Sequence, residues 1–304
     1  MDRIFPRIFA LGDIAWDILL RPEEPLVFGS DVPGKAEFTP GGSAANFAVW
    51  AACLEAEVLL QGKIGDDLLG KMMEEHLARK KVGLHLQIVT GAGTARIGAV
   101  VSLQGERAFV MDKPTSLAFS LGDFDTTCLD GRDLFFFTGY SLFTPSSLPF
   151  IRRILEEARV RKVPIAFDPA SFHLIEGYGP QELLERICPV DFLLLNEDEA
   201  RKLALADTKT LLQHSKIVVL KQGLNGSTVF SRLGEWHVPS QPAPVVDSTG
   251  AGDAFDAAFL VEFLRTGDIP SSLRKANRLG AYVVSHYGGQ PEGDWVRVLN
   301  VDDT

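Results

Sequence analysis

Residues 246–255 read VDSTGAGDAF, and three small residues, Gly250, Ala251 and Gly252, stand directly before a helical pattern. Backbone N–H groups at the start of a helix carry partial positive charge, and small side chains leave them open to a ligand. The stretch therefore predicts an anion site of the kind that holds phosphate. A carboxylate there, Asp253, would repel phosphate, so it makes sense as a base that takes a proton from an attacking hydroxyl. The alternative is an ordinary acid in the first turn of a helix.

Upstream of this stretch, short apolar runs alternate with amphipathic helical patterns. The runs are typical of buried parallel strands and lie at 133–137, 164–167, 192–195 and 216–220. Helices are expected near 147–161, 181–188 and 196–205, and again at 251–266 and 271–285 after a hairpin at 227–238. This alternation predicts an α/β fold with a mostly parallel central sheet and helices on both faces.

The N-terminal third departs from that alternation. It has a first strand at 7–12, a helix at 42–56, a strand at 57–64 and a helix at 66–80. It also contains extra strands at 17–21 and 36–39 and a hairpin at 94–111, which have no crossover helices of their own. We expect them to form a small antiparallel sheet that projects over the carboxyl ends of the parallel strands, where ligands bind in such folds. The whole chain, 1–304, is then one α/β domain with a lid inserted from about 17–39 and 94–111.

Composition narrows the classes of partner. The 304 residues include 30 basic and 40 acidic side chains, a net charge of −10, with no basic tract, which excludes nucleic acid as a general partner. The longest uncharged run, 134–151, is interrupted by Gly and Pro, so we expect no membrane span. Three cysteines without a CxxC pair indicate free thiols in a reducing compartment. The first residues lack a long apolar run, so we expect no signal peptide and a cytoplasmic protein.

The stretch VDSTGAGDAF resembles the C-terminal signature D-T-x-G-x-G-D of the ribokinase-like (PfkB) carbohydrate kinases, with Ser248 in the second position. The resemblance implies a three-layer α/β/α sandwich with a small β-sheet lid. It also implies that Asp253 is the catalytic base and that residues 250–252 supply the anion hole. Asp247 and Thr249 match positions that help to bind a monovalent cation such as K⁺ in this family.

A second stretch supports the same family. Residues 40–70 contain PGGSAANF and IGDDLLG, which resemble the family's first signature, GG-x-x-x-N followed by G-x-IGDD-x-x-G. By that resemblance Gly41, Gly42 and Asn46 contact the sugar, and Asp17 grips its hydroxyl groups. For Asp13 the sequence favours neither of two roles, binding the sugar or stabilising the fold.

The nucleotide side of the family is matched by shorter motifs. Asn196 and Glu199 match its N-x-x-E element, which acts near Mg²⁺ and phosphate through water; an N-cap with first-turn acids describes the same residues. Four further positions match residues that line the nucleotide site: Lys221, Gly223, Gly226 and Asn277. Asn277 is matched equally well by a plain polar helix residue.

Together these resemblances imply an ATP- and Mg²⁺-dependent phosphotransferase that phosphorylates a hydroxymethyl group of a sugar. A nucleoside kinase is the first alternative, because Trp16, Phe109 or Phe119 could stack on a base, although core or lid packing also explains them. A non-catalytic sugar- or nucleotide-binding protein is the second. Pairing of two lid sheets, which would protect their edges, would make a homodimer.

Overall fold

The computed structural model describes residues 5–101, 107–114, 117–142, 144–204 and 207–299. The strands within these residues are β1 (Arg7–Leu11), β2 (Ala15–Pro22), β3 (Gly34–Gly41), β4 (Glu57–Gly65), β5 (Gly83–Val89), β6 (Ala95–Val101), β7 (Arg107–Asp112), β8 (Leu134–Thr138), β9 (Ile165–Asp168), β10 (Val190–Asn196), β11 (Ser215–Lys221), β12 (Ser227–Ser231) and β13 (Gly234–Val238). The helices are α1 (Ser43–Cys53), α2 (Leu68–Arg79), α3 (Leu148–Val160), α4 (Phe172–Tyr178), α5 (Pro180–Ile187), α6 (Glu197–Ala204), α7 (Ala251–Thr266), α8 (Ile269–Val284) and α9 (Trp295–Leu299).

The large sheet has nine strands in the order β13-β12-β11-β10-β9-β8-β1-β4-β5. In this spatial order, the neighbouring strands from β11 across to β5 are all parallel. At the other edge β12 pairs antiparallel with β11, and β13 pairs antiparallel with β12. The central strand β8 is buried along its whole length, as its apolar run LFFFT requires of a strand covered on both faces. Because the strands are parallel, their carboxyl ends share one edge of the sheet, and the chain places its polar groups there.

Helices cover both faces of this sheet, and two hydrophobic cores result. Phe136 stacks on Phe47 of α1 on one face, where α7 and α8 also pack. The next residue, Phe137, stacks on Phe167 in the second core, which α3 to α6 cover. Successive side chains of one strand therefore fill opposite cores. The predicted three-layer sandwich is confirmed.

The lid is a four-stranded sheet in the order β3-β2-β6-β7. Its two outer pairs are antiparallel, but the central pair β2–β6 is parallel, so the expectation of a wholly antiparallel sheet is wrong. The reason is that β2 follows β1 and β6 follows β5, and both parallel strands deliver the chain to the lid in the same direction. The expected turn of the hairpin at 94–111 includes residues 102–106, which lie outside the described residues.

Three elements have no counterpart in the sequence analysis: the edge strand β5 and the short helices α4 and α9. The strand β5 pairs with β4 and completes the large sheet on the side from which the lid rises. Among the described residues, no helix combines the length and the apolar character that a bilayer span needs.

Candidate active site

Two clefts meet at the carboxyl edge of the large sheet. The first, which we call the lid cleft, lies between the lid and this edge and has a volume of about 620 Å³. The second, the C-terminal cleft, has a volume of about 550 Å³ and is lined by the ends of β10 and β11 and by α7 and α8. Four residues line both clefts: Ser43, Ser248, Gly250 and Asp253. The sequence stretch 246–255 therefore lies at the junction of the two cavities.

Gly250 sets the start of α7 at this junction. It adopts a left-handed conformation with φ of 70°, and a Cβ atom there would lie 2.4 Å from the Cα of Gly289. Both the conformation and the close approach of the two backbones require glycine. No side chain caps the first turn of α7, and the N–H of Ala251 donates to Ser248 O at 3.3 Å. The N–H groups of Gly252 and Asp253, which follow at the helix start, can face an anion.

The carboxylate of Asp253 occupies the first turn of α7. The side-chain amide of Asn46, on α1, donates a hydrogen bond from Nδ2 to Asp253 Oδ2 at 2.9 Å. Burial raises the pKa of Asp253 to about 7, and the nearby carboxylates of Asp168 and Asp13 act in the same direction. A carboxyl group with a pKa near 7 is well suited to accept a proton at neutral pH.

Asp17 and Gly42 line the lid cleft, whereas Gly41 packs against Asp17 without lining the cleft. Asp17 projects from β2 and lines the cleft, and burial raises its pKa to about 7, helped by repulsion from Asp13 and Asp247. Gly41 makes room for it, because a Cβ at that position would lie 2.4 Å from the Asp17 carboxylate. Gly42 lines the cleft and precedes the first residue of α1.

Asp13 follows β1 and faces the start of α1. Its carboxylate accepts hydrogen bonds from the backbone N–H of Ser43 at 2.9 Å and from the hydroxyl of Thr138 at 3.2 Å. Asp13 therefore satisfies the N-terminus of α1 and also lines the lid cleft.

A buried ion cluster underlies the C-terminal cleft. Lys221, at the end of β11, donates from Nζ to Asp168 at 2.6 Å and to Asp256 at 3.1 Å, and Asp256 is fully buried. Burial opposes the charge on Lys221, but the two carboxylates raise its pKa. Burial likewise opposes ionisation of Asp168, yet Lys221 lowers its pKa, whereas burial raises the pKa of Asp256 well above its usual value. Lys221 and Asp168 thus form the ion pair, and Asp256 is the carboxyl group of the cluster that ionises less readily.

Asn196 and Glu199 form a capping box at the start of α6. Asn196 Oδ1 accepts from the backbone N–H of Glu199 at 2.9 Å, and Glu199 Oε2 accepts from the backbone N–H of Asn196 at 2.9 Å. Burial and the nearby Asp168 raise the pKa of Glu199 to about 7. Both residues also line the C-terminal cleft, so the helix cap and the cleft wall are built from the same side chains.

Comparison with known proteins agrees with this geometry. The family model of the pfkB family carbohydrate kinases matches residues 7–295. The chain belongs to this family. It is 29% identical over 289 residues to the ATP-dependent ribose-1-phosphate kinase of Halopiger xanaduensis, covering 93% of this chain and 94% of that protein.

Solved structures of kinases share the fold. The adenosine kinase from Sinorhizobium meliloti superposes with a TM-score of 0.86 at 22% identity, covering 97% of this chain and 98% of the other. Arabidopsis thaliana ribokinase complexed with ribose and ATP superposes with a TM-score of 0.78 at 22% identity, covering 99% and 100% of the two chains. The predicted fold and the predicted family are both confirmed.

The remaining residues predicted to line the nucleotide site lie together in the C-terminal cleft, where Lys221 is joined by Gly223, Gly226 and Asn277. Asn277, on α8, is largely buried; its Oδ1 accepts from the hydroxyl of Ser227 at 2.8 Å and its Nδ2 donates to Val238 O at 2.9 Å. The Asn277 side chain therefore fixes the β12–β13 hairpin against α8 and forms part of the cleft wall.

Asp247 and Thr249 precede the anion site and line the lid cleft. Asp247 is buried; its Oδ1 accepts from the backbone N–H of Thr249 at 2.9 Å and its Oδ2 from that of Gly288 at 3.0 Å. Asp247 thus ties the turn before α7 to the segment after α8. The monovalent-cation role of this pair stays a prediction.

Several lining residues of the kinase were missed by sequence reasoning. Lys113, Tyr140 and His173 line the lid cleft, and Lys113 donates from Nζ to the carbonyl of Tyr140 at 2.9 Å. Asp168 and Asp256 were missed as partners of Lys221. These residues come from separate loops and strands, so no local spacing marks them.

The three aromatic residues considered for base stacking have different environments in the structure. Trp16 is buried and donates from Nε1 to Leu69 O at 2.9 Å, and Phe119 packs in the second core. Phe109, on β7, lines the lid cleft and is 57% exposed. Only Phe109 of these three could contact a substrate held in the lid cleft.

Proposed function

We propose that this kinase transfers the terminal phosphoryl group of ATP to a primary hydroxyl group of a sugar or nucleoside. The observation that carries the proposal is the position of Asp253 and the start of α7, which line both clefts at their junction. An acceptor in the lid cleft and a nucleotide in the C-terminal cleft would meet there. Similarity to an ATP-dependent ribose-1-phosphate kinase, an adenosine kinase and a ribokinase complexed with ribose and ATP supports this assignment.

In this mechanism Asp253 accepts the proton of the acceptor hydroxyl while that oxygen attacks the terminal phosphorus. The O–H bond breaks to Asp253, a new O–P bond forms, and the bond to the leaving ADP oxygen breaks. The open N–H groups at the start of α7 stabilise negative charge on the transferring group, an effect typically worth about 10²–10³ in rate. Asp17 accepts hydrogen bonds from the acceptor's other hydroxyl groups and orients it.

Asn196 and Glu199 are the residues that we propose to hold Mg²⁺ through water. Their donor set fits, because both offer oxygen and the capping box uses only one carboxylate oxygen of Glu199. When bound, the ion would neutralise charge on the phosphates. Asp247 and Thr249 are the proposed residues for a monovalent cation, K⁺ in our prediction.

The lid cleft favours an uncharged acceptor. Its charged lining is dominated by carboxylates, including Asp17, Asp112 and Asp253, against the cation Lys113. An acceptor that already carries a phosphate group would place that negative charge close to these carboxylates. We therefore rank neutral sugars and nucleosides above phosphorylated sugars.

A nucleoside is the second candidate acceptor, and the size and walls of the lid cleft favour it. A volume of about 620 Å³ exceeds the needs of a single sugar, and the lid presents apolar side chains to it, among them Leu19, Ile97, Phe109 and Met111. A cleft that combines these apolar side chains with carboxylates suits a substrate that carries both hydroxyl groups and a flat base.

The test is ADP release with ribose, fructose, 2-keto-3-deoxygluconate, adenosine, pseudouridine and ribose 1-phosphate as acceptors. We expect turnover with at least one neutral acceptor and an acidic limb of the pH profile near pH 7, because Asp253 must be ionised. Preference for ribose 1-phosphate would overturn the ranking by charge. No turnover with any acceptor, together with intact sugar binding, would favour the non-catalytic binding protein.

We also propose that two lids pair to make a homodimer in the cytoplasm, without a nucleic-acid or membrane partner. Apolar side chains exposed on the lid support it, since Phe38 is 57% and Val110 is 70% exposed. A solution mass near 33.2 kDa, the mass of one chain, would overturn the dimer.

A further inference from the structure

A chain of four side chains runs from helix α2 to the carboxylate at the junction of the clefts. His76 Nε2 lies 2.6 Å from Gln290 Oε1, Gln290 Nε2 donates to Asn46 Oδ1 at 3.1 Å, and Asn46 Nδ2 donates to Asp253 Oδ2 at 2.9 Å. Asn46 and Gln290 are 3% and 9% exposed, so water does not compete strongly for their amide groups. The members come from α2, the segment after α8, α1 and α7.

The chemistry at one end fixes the direction of every hydrogen bond in this chain. An ionised Asp253 only accepts, so Asn46 must turn its NH₂ group towards it and its oxygen towards Gln290. Gln290 must then present its NH₂ group to Asn46 and its oxygen to His76. His76 must carry a proton on Nε2, and it does so both in the neutral tautomer that fits here and when fully protonated.

The backbone around Gln290 is held independently of this chain. Trp50 donates from Nε1 to Gly289 O at 2.8 Å, and Lys80 donates from Nζ to Pro291 O at 3.0 Å. A Cβ at Gly289 would lie 2.7 Å from Asn46 Nδ2, so the backbone of this segment packs directly against the Asn46 amide. The segment therefore supplies both a wall and a hydrogen-bond donor for Asn46.

We propose that Gln290 and His76 are positioning residues that hold the Asn46 amide in the orientation that donates to Asp253. The proposal rests on the proposed function in one respect, that Asp253 is the base. With Oδ2 fixed by Asn46, the other carboxylate oxygen, Oδ1, takes the proton of the acceptor. Without Gln290, no N–H group donates to Asn46 Oδ1, and the Asn46 amide can rotate by half a turn. A rotated amide would place its oxygen, in place of its NH₂ group, next to the Asp253 carboxylate.

The groups around Asp253 predict how its pKa changes when the hydrogen bond from Asn46 is lost. Asp168 and Asp13 raise its pKa, whereas Lys221 and the Asn46 hydrogen bond lower it. Loss of the Asn46 donor therefore raises the pKa of Asp253 further. Around His76 the charged neighbours are Lys80, Arg79 and Glu292, and burial lowers its pKa, so His76 is neutral at pH 7.

The test uses Gln290→Met, which keeps most of the side-chain volume and adds no charge but cannot donate to Asn46. We expect kcat to fall about tenfold or more, as for loss of a hydrogen bond to a charged group, while KM for ATP changes less than about twofold. The acidic limb of the pH profile should move to higher pH. A kcat within about twofold of wild type and an unmoved acidic limb would overturn the proposal.

Two further variants separate positioning from packing. His76→Ala should lower kcat in the same direction, and His76→Gln, whose amide replaces the Nε2–H donor, should restore it. Lys80→Met is the matched control, because it removes an anchor of the same segment from the same side of α2 without entering the chain of hydrogen bonds. An equal loss of kcat in Lys80→Met and His76→Ala would overturn the proposal, since anchoring alone would then explain the effect.

A readout without turnover keeps this proposal distinct from the proposed function. The carboxyl ¹³C resonance of Asp253, assigned by its absence in Asp253→Asn, should titrate at higher pH in Gln290→Met and in His76→Ala than in wild type. An unchanged titration would overturn the positioning role even if no acceptor is phosphorylated. Failure of the wild-type protein to phosphorylate any acceptor, with a shifted titration, would overturn only the proposed function.

Discussion

Replacement of Lys221 by methionine is the sharpest test of the electrostatics beneath the C-terminal cleft. The lysine side chain is 13% exposed, and its Nζ lies 2.6 Å from Asp168 and 3.1 Å from Asp256, whose side chains are 7% and 0% exposed. Methionine preserves most of the side-chain volume but leaves the Asp168 charge buried without its counter-ion. Breaking a buried pair in this way costs about 3–5 kcal/mol of unfolding free energy.

The loss must depend on pH, and its sign follows from proton binding. Without Lys221 the folded-state pKa of Asp168 rises above its unfolded value, because burial then outweighs the hydrogen bond from the backbone N–H of Ala170. The folded protein then binds more protons than the unfolded chain between these two values, so its stability falls as pH rises, by up to about 1.4 kcal/mol per pH unit per group. Lys221→Met is therefore destabilised more at about pH 8 than at about pH 5.5 relative to wild type.

Urea unfolding followed by tryptophan fluorescence at both pH values measures this difference. Lys216→Met is the matched control on the same strand: Lys216 also pairs with an aspartate, Asp191, at 2.6 Å, but its side chain is 80% exposed. An exposed pair contributes about 0–1 kcal/mol, so the control should barely change. Equal destabilisation of the two variants, or a loss in Lys221→Met that does not change with pH, would refute the reasoning.

Three other predictions follow from the site. Gly250→Ala should lower kcat about 10²–10³-fold, because its Cβ would strike Gly289 at 2.4 Å and displace the anion-binding N–H groups; steady-state kinetics with saturating ATP measure it. KM for the acceptor should fall as pH rises through about 7, as Asp17 ionises, and Asp17→Asn should raise KM roughly 10–100-fold and remove this dependence; an unchanged profile would contradict it. Asp253→Asn should stabilise the protein by about 1–2 kcal/mol at about pH 8 and by less at about pH 5. Because the pKa of Asp253 is raised in the folded state, the unfolded chain releases this proton first, and the folded protein loses stability as pH rises towards 7. Thermal unfolding at the two pH values measures the difference.

The order of elements in the large sheet was predictable because each buried strand is a short apolar run. Strand β8 shows why, since LFFFT is a short apolar run that is buried at every position. The edge strand β5 carries an alternating pattern, GLHLQIV, that is half exposed and shorter than a helix, and it was not predicted. The parallel pairing of β2 with β6 depends on where β1 and β5 deliver the chain, which no local pattern records.

The candidate site likewise has features that local sequence predicts and features that depend on long-range contacts. The open start of α7 and the position of Asp253 follow from a local rule, that glycine before a helix leaves its N–H groups open. The capping box of Asn196 and Glu199 is also local, with a spacing of three residues. In contrast, the pairing of Lys221 with Asp168 joins residues 53 positions apart, and the hydrogen bond from Asn46 to Asp253 spans 207 positions. Only packing of the whole chain brings such groups together.

The central claim, that Asp253 is the base in phosphoryl transfer, is tested most directly by Asp253→Asn with the acceptor that wild type uses best. We measure kcat by ADP release and the binding of ATP and acceptor by calorimetry. An amide oxygen at this position still accepts from Asn46, so the side chain keeps its place but cannot take a proton. The account predicts a kcat lower by about 10²–10⁴-fold with both dissociation constants within about threefold of wild type. A kcat within about tenfold of wild type would contradict it.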